Sequence, residues 1–516
     1  MKEMLRDIRP GLHLAKGSMS ILLANALLLP TGFITAVFLA RYLGPMYYGL
    51  FALASRFVIW VEWSSTSFLS GTTIKFVGEA KDWRPIGVAI VRLHLMIGFG
   101  VATLLWILST PLAELFSEPA MGRYLRLFAI EVPIFSLACA NLNILLGLGR
   151  FKEQARITAG RVFARMVLII LLVEMGLSVE GAIIGSIGAS AVELFWSTLY
   201  IRPPLLSKCE VSSRPLLGLA VPLFMSAMSL RIFRLDLFVL KTLGGTAAQA
   251  GYYGAAMNLS IPPTLYSGSI SSPLLSTINR LISTGKTEQA KEIGMNALRS
   301  VLWLLPLAAM MAGAAPEIVL FILGEPYLSA SFLLSLLIFA DLSLGIIGVS
   351  RSILIASGRP GWTFLLSGPM VPLALLGHLM MIPWLGPVGA ALVTTSVAFL
   401  VALASLYAVY RAWRVFPSFK TFFACGLCSG IAFSLAVLWP ASGITLLLKL
   451  LVIICAILLA FRLLGEFTAR EMDMFRSMVG RILRPGTWRG NGTISEYEDK
   501  RTILTSKNTR LDPPAS

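Results

Sequence analysis

The chain has 516 residues, of which 56% are hydrophobic and only 13% charged, with a mean hydropathy of +0.80. So little charge cannot cover the surface of soluble domains of this total size, so an ordinary soluble protein is excluded. The formal net charge of +17 would suit nucleic acid, but in an apolar chain it is first to be tested as a topology signal.

Apolar runs of about 20 residues recur from end to end, each long enough for a membrane helix. In chain order the candidate spans are 17–40, 47–68, 85–109, 123–148, 156–176, 180–201, 215–241, 249–276, 296–322, 329–355, 361–384, 387–410, 419–439 and 443–464. The expected fold class is therefore an all-α polytopic membrane protein with about fourteen transmembrane helices. The start, Met1 to Lys16, is basic and amphipathic, and the run after it is too long for the apolar core of a signal peptide. It is expected to remain as the first span.

The stretch Leu39–Arg56, LARYLGPMYYGLFALASR, ends one apolar run at Arg41, turns at Gly44-Pro45, and opens the next at Tyr47-Tyr48-Gly49. This reads as a helical hairpin whose tip carries interfacial aromatics. The connections sort by charge. One side collects Lys2, Arg6, Arg9 and Lys16, then Lys75, Lys81 and Arg84, then Arg150, Lys152 and Arg156, and so on through Arg414 and Lys420. The other side has only Arg41, Arg123, Arg126 and Lys241 as cations, against six glutamates. That asymmetry places the first side, and both termini, in the cytoplasm, and it makes a nucleic-acid partner unnecessary.

Short anchors recur in the same order. Tyr47-Tyr48-Gly49 returns as Tyr252-Tyr253-Gly254, Gly149-Arg150 as Gly358-Arg359, Gly181-Ala182 as Gly389-Ala390, and Leu199-Tyr200 as Leu406-Tyr407. The offset is about 205 to 209 residues, a period that signals an internal duplication. Six helices per copy, an even number, make the copies parallel and put a site between them. The expected organisation is an N-terminal six-helix lobe over 1–206, a C-terminal one over 207–414, an additional helix pair over 415–465, and a cytoplasmic amphipathic segment with a disordered tail over 466–516.

No GxxxxGK[ST] loop occurs, the three histidines are far apart, and Cys425 and Cys428 lie three apart in an apolar run without a second ligand pair. No catalytic residue, metal site or cofactor is expected. The informative residues are charges inside the spans, each of which costs about 2.5–3.5 kcal/mol at mid-membrane on insertion scales and so demands a partner or a wet cavity. Arg56 lies about nine residues, roughly 14 Å, into its span, with Glu62 further in on a different face. Arg231 and Arg234, three apart, share a face, with Asp236 nearly opposite Arg234. Together with Asn25 in the first span, these form the expected cavity set, against ion pairing between helices for Arg56 and snorkelling to headgroups for the Arg231–Arg234 pair. Arg92, Arg161 and Arg165 are assigned to headgroup contacts in the cytoplasmic half. Glu131 and Asp341, related by the repeat to within about one residue, are read as a symmetric structural pair or, in one lobe, a proton or cation coupling site. The eighth span, LSIPPTLYSGSISSPLLS, is too polar and too broken to face lipid. Spans one, two, seven and eight are accordingly expected to line the space between the lobes.

The opening hairpin, the Gly147-Leu148-Gly149-Arg150-Phe151 helix end and the Leu235-Asp236…Gly244…Gly251-Tyr252-Tyr253 hairpin resemble those of polysaccharide-unit flippases in the multidrug and oligosaccharidyl-lipid/polysaccharide exporter superfamily. That resemblance implies translocation of undecaprenyl-pyrophosphate-linked oligosaccharide units from the inner to the outer leaflet by rocking of two lobes, with no enzymatic activity. It further implies the lipid-linked oligosaccharide and membrane lipids as partners, with a polysaccharide polymerase and a chain-length regulator beside them. Lipid II flippases and drug or cation antiporters of the same superfamily are the alternatives. A membrane glycosyltransferase is disfavoured by the short outer loops.

Overall fold

The computed structural model describes residues 2–80, 82–201, 233, 235–414 and 416–466, with backbone only for 2–26, 28, 29, 68, 272, 360 and 364. Every regular element among them is helical, and the protein is an all-α polytopic membrane protein. Residues 1–457 form one unit; of the other, 458–516, the described part is the end of the last helix and the turn to Glu466. The expected amphipathic segment from Phe467 onward lies outside the described residues, as do residues 215–232 and 234 of the seventh expected span.

The first half contains α1 (Lys2–Glu79), α2 (Arg84–Leu115), α3 (Pro119–Ala129), α4 (Glu131–Gly147), α5 (Phe151–Leu172) and, after a π-turn, α6 (Ser178–Ile201). Helix α1 covers two expected spans, joined at Gly44, whose φ of 71° and ψ of 172° break the helical path. Its second part runs on to Glu79, so Lys75, assigned to a loop from its charge, is helical. The fourth expected span is the α3–α4 pair, divided at Ile130.

The second half begins with α7 (Asp236–Thr242), followed by α8 (Ala247–Ser260) and α9 (Pro262–Ser283). Gly244, φ 94°, supplies the turn before α8, and Thr246 and Gln249 then form a reciprocal capping box. Pro262 and Pro263 lack backbone N–H donors, so α8 stops at Ser260 and a new helix starts there. The ninth expected span is broken twice, into α10 (Thr287–Leu302), α11 (Leu305–Gly313) and α12 (Ala315–Ile322), with Pro306 and Pro316 opening the last two pieces. Then come α13 (Ala330–Ala356), α14 (Pro360–Ser367), α15 (Met370–Leu385), α16 (Pro387–Trp413), α17 (Phe419–Leu438) and α18 (Ile444–Leu463).

Helix α13 is the buried axis of the second half, packed by α8, α9 and α16. In the first half α1 and α6 contact α4 and α5. The two halves meet where α1 crosses α8. A Cβ on Gly49 would lie 1.9 Å from the Ala247 carbonyl oxygen, and one on Gly251 would lie 2.0 Å from that of Pro45. Only hydrogen fits at either position, so the two backbones are in direct contact. The crossing joins the two hairpins that the sequence repeat pairs.

Candidate functional site

Beneath that crossing lies a cavity of about 680 Å³, walled by α1, α5, α7, α8 and Phe135 of α4. Arg56 enters it from α1, and Arg161 and Arg165 enter from α5. Arg56 Nη2 donates to Asn258 Oδ1 at 3.1 Å, while Asn258 Nδ2 donates to the Tyr48 hydroxyl at 2.8 Å. One amide on α8 thus orients a guanidinium and a phenol on α1.

Arg161 sits 3.1 Å from the Glu193 carboxylate of α6, with its guanidinium 4.5 Å over the Phe135 ring. Glu193 is 1% exposed. Arg165 lines the same cavity, within electrostatic reach of Glu131 and Glu62. Glu62, 4% exposed, also lines the cavity, although the sequence put it on a different face of the helix from Arg56. Both contribute because the cavity wraps around a broad arc of α1, from Thr31 to Thr66. Among the described residues the wall therefore carries three arginines and one carboxylate, with Glu131 and Glu193 outside the lining. The buried Glu193 gives Arg161 a partner inside the bundle, which is why it occupies the cavity wall and not the headgroup position expected of it; Arg165 stands at the same wall.

Several expected residues stand elsewhere. Asp236 is not part of the cavity lining. At 1% exposure it accepts hydrogen bonds from the Tyr253 hydroxyl at 2.7 Å, the Thr394 hydroxyl at 3.2 Å and its own helix at Leu237 N, 3.0 Å. It ties α7 to α8 and α16, since three donors among the described residues satisfy the buried carboxylate. Arg92, on α2, is also away from the lining. Glu131 accepts from Ser190 Oγ at 2.7 Å, and Asp341 from Ser260 Oγ at 2.6 Å and Thr264 Oγ1 at 2.7 Å. Both are buried and hydroxyl-bound, and neither lines the cavity. Arg231 and Arg234 lie outside the described residues, as does the side chain of Asn25.

The sequence reading passed over Trp60, Trp63, Asn258 and Glu193. Trp60 and Trp63 recur with Arg56 at i, i+4 and i+7, a helix-face signal that was present. Glu193, a carboxylate in an apolar run, carried the same signal as Glu131.

The Gly44 end of the bundle is drawn together by polar contacts between elements. Arg41 donates to the carbonyls of Ile322 at 2.7 Å and Phe321 at 2.5 Å, capping the end of α12. Lys241 Nζ, 4% exposed as a residue, lies 2.9 Å from Glu118 Oε1 and also donates to the Gly245 carbonyl. Tyr48 and Tyr252 both pack edge-on against Tyr327, with ring centroids 6.1 Å apart in each case.

The model of a family described as polysaccharide biosynthesis protein matches residues 38–332. No curated protein matches the chain. Among solved structures, the lipid II flippase MurJ in an inward closed conformation superposes with a TM-score of 0.72 at 15% identity, covering 89% of this chain and 99% of that one. The Vibrio cholerae MATE transporter VcmN, as a point mutant, gives 0.55 at 15% identity, covering 78% and 96%. An inward-facing multidrug resistance MATE transporter of the MOP superfamily gives 0.56 at 11%, covering 77% and 95%. At such identities the likeness concerns the fold, which is that of MOP-type flippases and transporters.

Proposed function

The chain belongs to the polysaccharide biosynthesis protein family, and from that premise we propose that it flips undecaprenyl-diphosphate-linked oligosaccharide units from the inner to the outer leaflet of the bacterial cytoplasmic membrane. The observation that carries this reading is the convergence of Arg56, Arg161 and Arg165 on one cavity between α1, α5 and α8. A guanidinium fork matches phosphate oxygens with paired, charge-assisted hydrogen bonds, and low dielectric strengthens each of them. A prenyl chain needs only the surrounding bilayer, so the protein has to solvate the charged headgroup alone.

Loop charges orient the molecule with the Gly44 end outward and both termini in the cytoplasm. In that orientation, Arg41 on α12, Lys241 with Glu118, and the Gly49–Gly251 crossing hold the outer side together. The cavity then takes its headgroup from the cytoplasmic side, and translocation consists of parting those contacts as the halves rock. A polymerase and a chain-length regulator are the partners that such a product would feed. A drug antiporter for cations is disfavoured by the arginines, and a lipid II flippase differs only in headgroup.

Arg56→Ala, Arg161→Ala and a combined Arg56→Ala, Arg231→Ala, Arg234→Ala variant are expected to lower delivery of lipid-linked glycan at unchanged protein level. Full delivery by the combined variant and by Arg161→Ala would remove the cavity from the mechanism.

A further inference from the structure

Arg56, Trp60 and Trp63 follow one another along one side of α1, and all three line the cavity. The rise is about 6 Å from the arginine to the first indole and about 4.5 Å from the first indole to the second. Elsewhere in the lining, Phe135 carries the Arg161 guanidinium over its ring, and Phe238 packs edge-on against Phe57 at 5.7 Å. Trp60 has Phe57 at 6.4 Å, and its Nε1–H is buried without an acceptor among the described residues. A buried donor with no acceptor is a net cost to the fold, so the indole at this position is not explained by the packing it makes.

We propose that Trp60 and Trp63 form a saccharide subsite, which stacks on the apolar faces of the one or two sugar rings joined directly to the diphosphate held by Arg56. This rests on the reading of the cavity as the site of a lipid-diphosphate headgroup. A pyranose with equatorial hydroxyls presents a flat C–H face and a polar rim. An indole buries the face, as amphipathic aromatic side chains do elsewhere, and leaves the rim to neighbouring polar groups. Glu62, Thr66 and Thr158 line the same cavity and supply acceptors and donors for that rim. Ring turning at Trp60 brings its unpaired N–H to a sugar hydroxyl. Arginines alone recognise any polyprenyl diphosphate; the tryptophans add recognition of what is attached to it.

The test uses the full chain in lipid nanodiscs and two probes, undecaprenyl diphosphate and undecaprenyl-diphospho-N-acetylglucosamine. Wild-type protein is expected to bind the glycosylated probe about tenfold more tightly, the scale of a well-buried aromatic contact. Trp60→Leu with Trp63→Leu keeps apolar volume but removes the flat face, and is expected to bind both probes with the affinity of the bare diphosphate. Trp60→Phe with Trp63→Phe is expected to retain most of the preference, and Arg56→Ala to weaken both probes together. Equal wild-type affinity for the two probes, or an unchanged preference in the leucine variant, would overturn the subsite and leave the headgroup cavity standing. Failure of wild-type protein to bind either probe would overturn the cavity reading itself.

Discussion

Asp236 shows how hydrogen-bond donors, the partners it has among the described residues, accommodate a buried carboxylate. It is 1% exposed and accepts from Tyr253, Thr394 and a backbone N–H. Asp236→Ala leaves two hydroxyls without their acceptor, at about 1–3 kcal/mol for each group that stays unpaired. Such a variant is expected to melt several degrees below wild type in detergent, while Asp236→Asn, which keeps an acceptor oxygen, loses less. Equal melting temperatures for all three would show that the network contributes nothing. Arg161 behaves differently, since it divides its guanidinium between the Glu193 carboxylate and the Phe135 ring. Glu193→Gln keeps the shape and removes the counter-charge, and is expected to strengthen binding of anionic headgroups to the cavity, a change read by titrating undecaprenyl diphosphate. Sequence reasoning put Arg56 deep in its span, because depth in an apolar run follows from counting residues. It misplaced Asp236, Arg161 and Arg165 because depth along a helix does not say which neighbouring helix supplies the partner.

Among the elements, α7 joins more functions than its seven residues suggest. Asp236 fixes one end to α8 and α16, Phe238 faces the cavity, and Lys241 reaches Glu118. The α1–α8 crossing beside it has no slack. Gly251→Val would place side-chain atoms inside the Pro45 backbone, so the helices must separate. Cysteine pairs engineered across this crossing in a cysteine-free background are expected to cross-link readily with Gly251 present and poorly in the valine variant. Undiminished cross-linking would mean that the helices do not touch in the membrane.

The added pair α17–α18 is held by chemistry that hydropathy cannot reveal. Lys449, 0% exposed in an apolar helix, pairs with Glu317 of α12 and donates to the Ala436 carbonyl, while Glu317 accepts from Ala441 N at 3.0 Å. Lys449→Ala strands Glu317, and is expected to cost about 3–5 kcal/mol, the scale of breaking a buried pair. The double change Lys449→Met, Glu317→Gln should recover most of that in a thermal melt. No recovery would assign the loss to packing. The sequence predicted this helix pair in position but missed its tether, because Lys449 looks like one stray charge until Glu317, distant in the chain, is brought beside it.

At the scale of the molecule, the duplication expected from the sequence has local counterparts, but the residues it pairs do different work. Gly44 and Gly244, and Gly149 and Gly358, take matching positive φ values before or after corresponding helices. Tyr48 and Tyr253 correspond, yet the first accepts from Asn258 and the second donates to Asp236. Arg56 corresponds to Ile261, and both line the cavity, one as a cation and the other as hydrocarbon. The architecture was legible because membrane spans, turns and charge bias are local in sequence. The cavity was legible only in part, because its wall is assembled from α1, α5, α7 and α8, and only a fold brings those together. An asymmetric cationic wall in a two-part frame suits a headgroup of fixed polarity attached to a lipid that never leaves the bilayer.

The central claim is that this cavity carries a lipid-linked glycan across the membrane. It is tested most directly by leaflet-resolved labelling of lipid-linked oligosaccharide in cells lacking this protein and any other flippase, complemented with wild type or with Arg56→Ala. Outer-leaflet glycan is expected to disappear without the protein, to return with wild type, and to return only in small part with Arg56→Ala at equal protein level. Outer-leaflet glycan at wild-type amounts in cells without the protein would contradict the claim.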